Sequence, residues 1–368
     1  MVSEGGARAN ARPTSASISR PFTSNTRPTQ AAQGPAQPAA LRGGGKSGGG
    51  AQLAAAGAGV ALRGSLAEDD KYRQSIRAEM LVRAPNVKWD DIADLVAAKQ
   101  ALREAVVLPS LRPDLFSGPL RAPVRGILLY GPPGNGKTLL GKALAHEASA
   151  AFFSISASSL TSKWVGEGEK LMRALFSVAA EQAPSIIFID EIDSIMSARG
   201  GANENDAARR LKTEFLVQFD GVASANNERV IVIGATNRPY DLDDAVRRRL
   251  VKRIHIPLPS AEGRAAIMKH LLKGQQVCSR LSAQDLRQVV KVTDGYSASD
   301  LTALCKEAAM MPIRELSSVE LAKVQAAALR AVTLSDFASA LAVIKPSTNR
   351  DMLKSYTDFT NEFGSSGS

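Results

Sequence analysis

Apolar residues recur along this chain in two spacings, and the change from one to the other marks its architecture. Between about residues 71 and 258, short β-branched and aromatic runs alternate with stretches of helical or turn character, the order of a helix-covered parallel sheet. The runs are Gly126–Tyr130, Ala151–Ser156, Ser185–Asp190, Arg229–Gly234 and Arg253–Pro257. Past Pro259 they cease, and Glu262–Lys273, Ala283–Thr293, Ala298–Glu307 and Leu334–Ile344 carry apolar residues at amphipathic-helix spacing. The pattern predicts a doubly wound α/β domain over 71–258, a smaller all-helical domain over 259–345, and a C-terminal helix and tail over 346–368. No fixed period repeats, which argues against a solenoid or a tandem double motor.

Residues 1–70 differ in kind. From Met1 to about Ser65 the composition is Ala, Gly, Ser, Thr, Pro and Arg, with Glu4 as the single acid. Such a segment buries too little apolar surface to offset its ordering entropy, so it reads as a basic, disordered arm. An Arg- and Ser-rich organellar transit peptide shares this composition, and both readings stand. The net charge of +10 favours a polyanionic partner: nucleic acid, an acidic membrane surface or an acidic protein tail. Two cysteines, Cys278 and Cys305, have no companions at metal-ligand spacing, which supports neither a zinc site nor a disulfide framework. No apolar run is long enough to span a bilayer.

The chemistry lies at strand ends. After the first run comes Gly131-Pro132-Pro133-Gly134-Asn135-Gly136-Lys137-Thr138, a phosphate loop that opens a helical stretch, Leu139 to Glu147. Its glycines let backbone N–H groups curl round phosphates, Lys137 reaches the β and γ phosphates, and Thr138 ligates magnesium. The run Ser185–Asp190 ends in Asp190 and Glu191. In a strand buried on both faces these acids emerge beside the phosphate loop, Asp190 to hold magnesium through water and Glu191 to polarise the attacking water. A bare Asp-Glu pair is also a common helix cap; the neighbouring phosphate loop favours catalysis. Asn237, closing a third run, suits a γ-phosphate sensor, with a turn former as the plainer alternative. Arg247-Arg248-Arg249 reads either as a solvated helix face or as an arginine finger for a neighbour's ATP.

These motifs resemble the AAA ATPases of the meiotic clade over about Asn86 to Gly364. The likeness rests on GPPGNGKT, IIFIDEIDSI and GATNRPYDLDDAVRRRLVKRIHIPLP together. Within the clade, SSLTSKWVGEGEKLMRALF, ARRLKTEFLVQFDGV and DGYSASDLTALCKEAAMMPIREL are most similar to the spastin family of microtubule-severing enzymes. The resemblance implies a P-loop AAA module with a helical lid and a C-terminal helix, Ser355–Phe363, that returns to the large domain. It implies ATP and Mg2+ as cofactors, with Arg248 and Arg249 as fingers acting on the adjacent subunit of a hexamer assembled with ATP. Leu139 closes the nucleotide-binding run, and Ile92 and Ala93 lie against the base. His270 stands near the ribose or adenine, and Gly295 and Ser299 in the lid close over the nucleotide. Asp94 stands where the family usually has Gly or Asn.

In the same family Lys163, Trp164 and Val165 form a first pore loop that grips substrate, and Arg209 and Arg210 belong to a second, basic one. Read alone, Trp164 suits the core, and the basic stretch suits a solvated helix start. The implied substrate is the acidic C-terminal tail of tubulin, which places the motor on cytoplasmic microtubules. Rival readings are an ESCRT-III disassembly ATPase and a non-hydrolysing nucleotide-dependent protein on an anionic polymer. Nucleic acid is not the expected partner, because no basic-aromatic stacking surface accompanies Trp164.

Overall fold

The computed structural model describes residues 69–82, 85–118, 120–157, 160, 167–197, 206–224, 229–273, 281–325 and 328–365. All of them fall in one structural unit, residues 57–368. Its sheet has the strand order β1-β3-β4-β5-β2-β6. Strands β2 (Gly126–Tyr130), β3 (Ala151–Ser156), β4 (Ser185–Asp190), β5 (Val230–Thr236) and β6 (Lys252–His255) run parallel to their neighbours. β1 (Leu81–Val82) pairs antiparallel with β3 at one edge. Two residues are too few for any period, so the sequence carries no signal for it.

The parallel strands are apolar on both faces because both are covered. Ile187 and Ile189 of β4 face one core with α3 (Gly168–Glu181) and α4 (Asp206–Ser224), while Ile186 and Phe188 face the other with α1 (Val96–Leu102) and α2 (Lys137–Glu147). Two-sided burial fixes the strand register, since a one-residue slip would exchange the two sets of side chains. The register aligns the C-terminal ends of β2, β4 and β5, and the functional residues sit there.

A short helix α5 (Asp244–Arg249) precedes β6, and the helices beyond the sheet bury a separate core around Met268, Leu301, Leu304 and Phe337. They are α6 (Ala261–Lys273), α7 (Ala283–Val292), α8 (Ala298–Arg314) and α9 (Leu334–Val343). Their starts are local chemistry: Ser282 with Asp285, and Ser297 with Asp300, form reciprocal capping boxes at α7 and α8. α8 runs past Glu307 to Arg314, tolerating Pro312 in its last turn. The final helix, α10 (Arg350–Phe363), is capped by Asn349 and starts at Arg350, five residues before Ser355. It returns to the sheet, where Phe359 packs edge-on against Tyr130 at 4.9 Å between ring centres. Among the described residues no helix is long and apolar enough to cross a membrane.

Candidate nucleotide site

Between β2 and α2 the chain turns through Gly131, Gly134 and Gly136 with φ of +145°, +74° and +79°, values that side-chain-bearing residues rarely adopt. The Lys137 ammonium is buried and donates to the carbonyls of Gly131 and Pro132, both at 2.8 Å. Burial pulls its pKa down to about 8, against the opposing pull of Asp190 and Asp193.

The Thr138 hydroxyl donates to Asp190 Oδ2 at 2.7 Å, tying the first turn of α2 to the end of β4. A hydroxyl and a carboxylate converging on one point make a hard-oxygen donor set, the kind that Mg2+ takes together with phosphate oxygens. Among the described residues no group of three His, Cys, Asp or Glu side chains forms a separate metal site. Glu191 follows with φ +51°, a left-handed backbone that costs about 1–2 kcal/mol for a residue with a Cβ. The turn leaves its side chain exposed beside Asp190, whose Oδ1 accepts the Glu191 N–H at 3.0 Å. Backbone strain of this kind clusters at functional sites.

Asn237 is the first residue beyond β5. Its Oδ1 is buried without a hydrogen-bond partner, which leaves an acceptor unsatisfied at the end of β5. Its carbonyl accepts the Tyr356 hydroxyl of α10 at 2.7 Å. The preceding Thr236 donates to Asp193 at 2.6 Å, tying the β5 end to the turn after Glu191.

At the other end of the loop, a cavity of about 260 Å³ is lined by Ile92, Ala93, Leu139, Pro257, Ile267 and His270, with Asn135 and Gly136 at its phosphate side. It is apolar and of a size for a flat heterocycle. The lid docks directly on the loop: Ser299 N–H donates to the Gly134 carbonyl at 3.0 Å and Ala298 N–H to Asn135 Oδ1 at 3.2 Å. Asp300 accepts from Ser347 N–H (3.1 Å) and Oγ (2.9 Å), and the Thr348 hydroxyl donates to the Gly295 carbonyl at 2.9 Å. The lid is thereby tied to the segment leading into α10. Asp193, Ser347 and Tyr356 escaped the sequence reading because no local pattern distinguishes them; the Ser297-x-x-Asp300 spacing marks a helix start but not the contact of Asp300 with Ser347.

The three arginines of α5 have different surroundings. Arg249 is held by Asp220 (Nε–Oδ1 3.0 Å, Nη2–Oδ2 2.6 Å), which raises its pKa. Arg247 pairs with Asp244 and lies over the Phe363 ring at 4.7 Å. Arg248 is exposed and, among the described residues, has no partner. Arg209 and Arg210 are exposed in the first turns of α4; Lys163, Trp164 and Val165 lie outside the described residues, as does Cys278. Cys305 is a buried thiol pushed up to about 12 by desolvation.

Family models match three consecutive parts: ATPase family associated with various cellular activities (AAA) at 127–258, AAA+ lid domain at 283–326, and Vps4 C terminal oligomerisation domain at 307–364. The crystal structure of the FIGL-1 AAA domain in complex with ADP superposes with a TM-score of 0.75 and 48% identity, covering 81% of this chain and 98% of that one. The chain belongs to the AAA ATPases. This AAA ATPase is 54% identical to the spastins of Gallus gallus and Homo sapiens over 80% of its length. It spans about half the length of those relatives, 48% and 47% respectively. A structure described as the structural basis for katanin self-assembly is 37% identical, with a TM-score of 0.68, and covers 79% of this chain and 96% of its own. These relatives put the AAA ATPase in the meiotic clade, as the motifs imply.

Proposed function

We propose that this AAA ATPase is an ATP-driven, ring-forming motor that severs microtubules by pulling on the acidic tails of tubulin. The observation that carries the proposal is the likeness to spastin over 80% of the chain, including the whole hydrolytic machinery. Thr138 and Asp190 would hold Mg2+, which when bound neutralises phosphate charge. Lys137 binds the β and γ phosphates, Glu191 orients and deprotonates the attacking water, and Asn237 holds that water through its free acceptor. Ile92, Ala93, Leu139 and His270 enclose the base, while Gly295 and Ser299 belong to the lid that closes on it.

Arg248 is the uncommitted cation of α5, so it is the finger offered to the next subunit's ATP, with Arg249 positioning it from its anchorage on Asp220. A finger in trans requires a ring, for which we propose a homo-hexamer assembled with ATP. The match to the Vps4 C terminal oligomerisation domain across α10 supports that assembly. Lys163, Trp164 and Val165, with Arg209 and Arg210, are assigned to a basic pore that suits a glutamate-rich chain.

The test is purified protein with ATP on surface-held fluorescent microtubules, with turnover measured with and without polymer. Internal breaks that Trp164→Ala abolishes, together with microtubule-stimulated turnover, are expected. Intact filaments and unchanged turnover would redirect the motor to another protein polymer, ESCRT-III first, and leave its ATPase chemistry standing.

A further inference from the structure

The turn carrying Ile92 and Ala93 is strained and held from two sides. Asp94 and Leu95 are consecutive residues with φ of +64° and +59°, a conformation unfavourable for both and especially for leucine. On the sheet side, the Lys99 ammonium donates to the carbonyls of Trp89 (3.0 Å) and Ile92 (2.5 Å). On the lid side, one carboxylate oxygen of Asp94 accepts both the Ser260 N–H (2.9 Å) and the Ser260 hydroxyl (2.7 Å). Ser260 in turn caps α6, its Oγ accepting the Gly263 N–H at 3.0 Å. The carboxylate lies so close to α6 that a Cβ at position 263 would come within 2.2 Å of it; only glycine fits there.

These contacts matter because α6 forms the opposite wall of the base cavity. Its Ile267 and His270 face Ile92 and Ala93 across that space. α6 is also coupled to the rest of the lid: Arg264, buried, donates to the carbonyls of Pro259 and Val290, both at 3.1 Å. A constraint on the first turn of α6 is therefore a constraint on the lid.

We infer that Asp94 is a positioning residue for nucleotide: through Ser260 it clasps the base-contacting turn to the cap of the first lid helix, and so sets how long nucleotide is retained. The inference rests on the cavity being the base subsite. Burial alone would raise the Asp94 pKa, but the hydrogen bonds from Ser260 outweigh it and the pKa is lowered, so the clasp is ionised throughout the neutral range. The strain of the turn is then sustained by charge-assisted hydrogen bonds, which are the stronger kind.

The experiment is the release rate of a fluorescent ADP analogue from the assembled protein. Asp94→Gly removes the clasp while accepting φ near +64° without strain, so the turn survives. Release should quicken about tenfold and the KM for ATP should rise with it, the loss of the hydrogen bonds to the carboxylate being partly offset by relief of the strained backbone at position 94. Asp94→Asn keeps an acceptor and tolerates the left-handed backbone, and should restore release to within about threefold of wild type. Ser260→Ala leaves Asp94 in place and should give part of the acceleration, and because Ser260 also caps Gly263 the double variant should exceed Asp94→Gly slightly but fall well short of the combined single effects. Unchanged release in Asp94→Gly, or additive effects of the two substitutions, would overturn the clasp. A wild-type protein that binds the ADP analogue no better than its nucleobase-free counterpart would overturn the subsite reading instead.

Discussion

The two ends of the nucleotide site are built by different means. At the phosphate end, Lys137, Thr138, Asp190, Glu191 and Asn237 follow directly from strand ends whose register is fixed by apolar burial on both faces. At the base end, the walls come from elements far apart in sequence and are joined by a few polar contacts, Asp94 to Ser260 and Asn135 to Ala298, with Asp300 to Ser347 tying the lid to the segment before α10. A sheet holds reacting groups rigidly because moving one strand breaks a whole ladder. A lid joined by a few hydrogen bonds moves at a cost of a few kcal/mol, within reach of nucleotide binding energy. On the proposed function, this puts the chemistry on the sheet-held end and nucleotide retention on the end joined by fewer contacts.

The sharpest way to break this contrast is at Glu191. Glu191→Gln removes the base without altering shape, so turnover should fall about 10³-fold while nucleotide affinity stays within a few-fold. Single-turnover hydrolysis beside equilibrium binding checks this; brisk hydrolysis by the variant would remove Glu191 from the mechanism. Next in size are the arginines of α5. Arg248→Ala should cost about 10²-fold in turnover, the loss of one donor to developing charge. Arg249→Ala, which loses a partly exposed pair worth at most about 1 kcal/mol, should cost far less turnover, since its guanidinium is committed to Asp220. Equal losses in an assembly-matched ATPase assay would mean that both arginines reach the neighbour.

The same contrast explains what could be read from the sequence. The parallel strands and the phosphate loop are legible because burial and turn chemistry act over a few residues: Ala151–Ser156 and Ser185–Asp190 are strands to the residue. β5 runs to Thr236, just short of the Asn237 that closes the third run, and it pairs with β2 as far as Tyr130. Asp94 drew notice as a departure from the family's habit, yet its partner Ser260 lies 166 residues on and no spacing rule reaches it. Tyr356 was silent for the same reason: as a helical tyrosine it reads as core, and only the return of α10 brings its hydroxyl to Asn237.

That hydroxyl gives a finer test, because it links α10 to Asn237, the proposed γ-phosphate sensor. Tyr356→Phe keeps the buried ring and leaves the Asn237 carbonyl without a donor. Turnover should fall about fivefold with KM for ATP little changed, in line with one lost hydrogen bond. A rise in KM with unchanged kcat would instead assign α10 wholly to the base end.

The smallest effect concerns Lys137 and separates a preset phosphate site from one that binding completes. With its folded pKa near 8 against an ordinary 10.5, the unfolded chain holds more protons between those values. Stability therefore rises with pH across that window, by up to about 3 kcal/mol from this group, and the penalty is present in full below it. Phosphate oxygens favour the ammonium and should draw its pKa back up, so nucleotide binding at pH 8 should take up about half a proton and at pH 6.5 almost none. Calorimetry in two buffers of different ionisation enthalpy reads this uptake. A binding enthalpy that ignores the buffer at pH 8 would mean that nucleotide leaves the charge of Lys137 unchanged, and that the phosphate end is as preset electrostatically as it is geometrically.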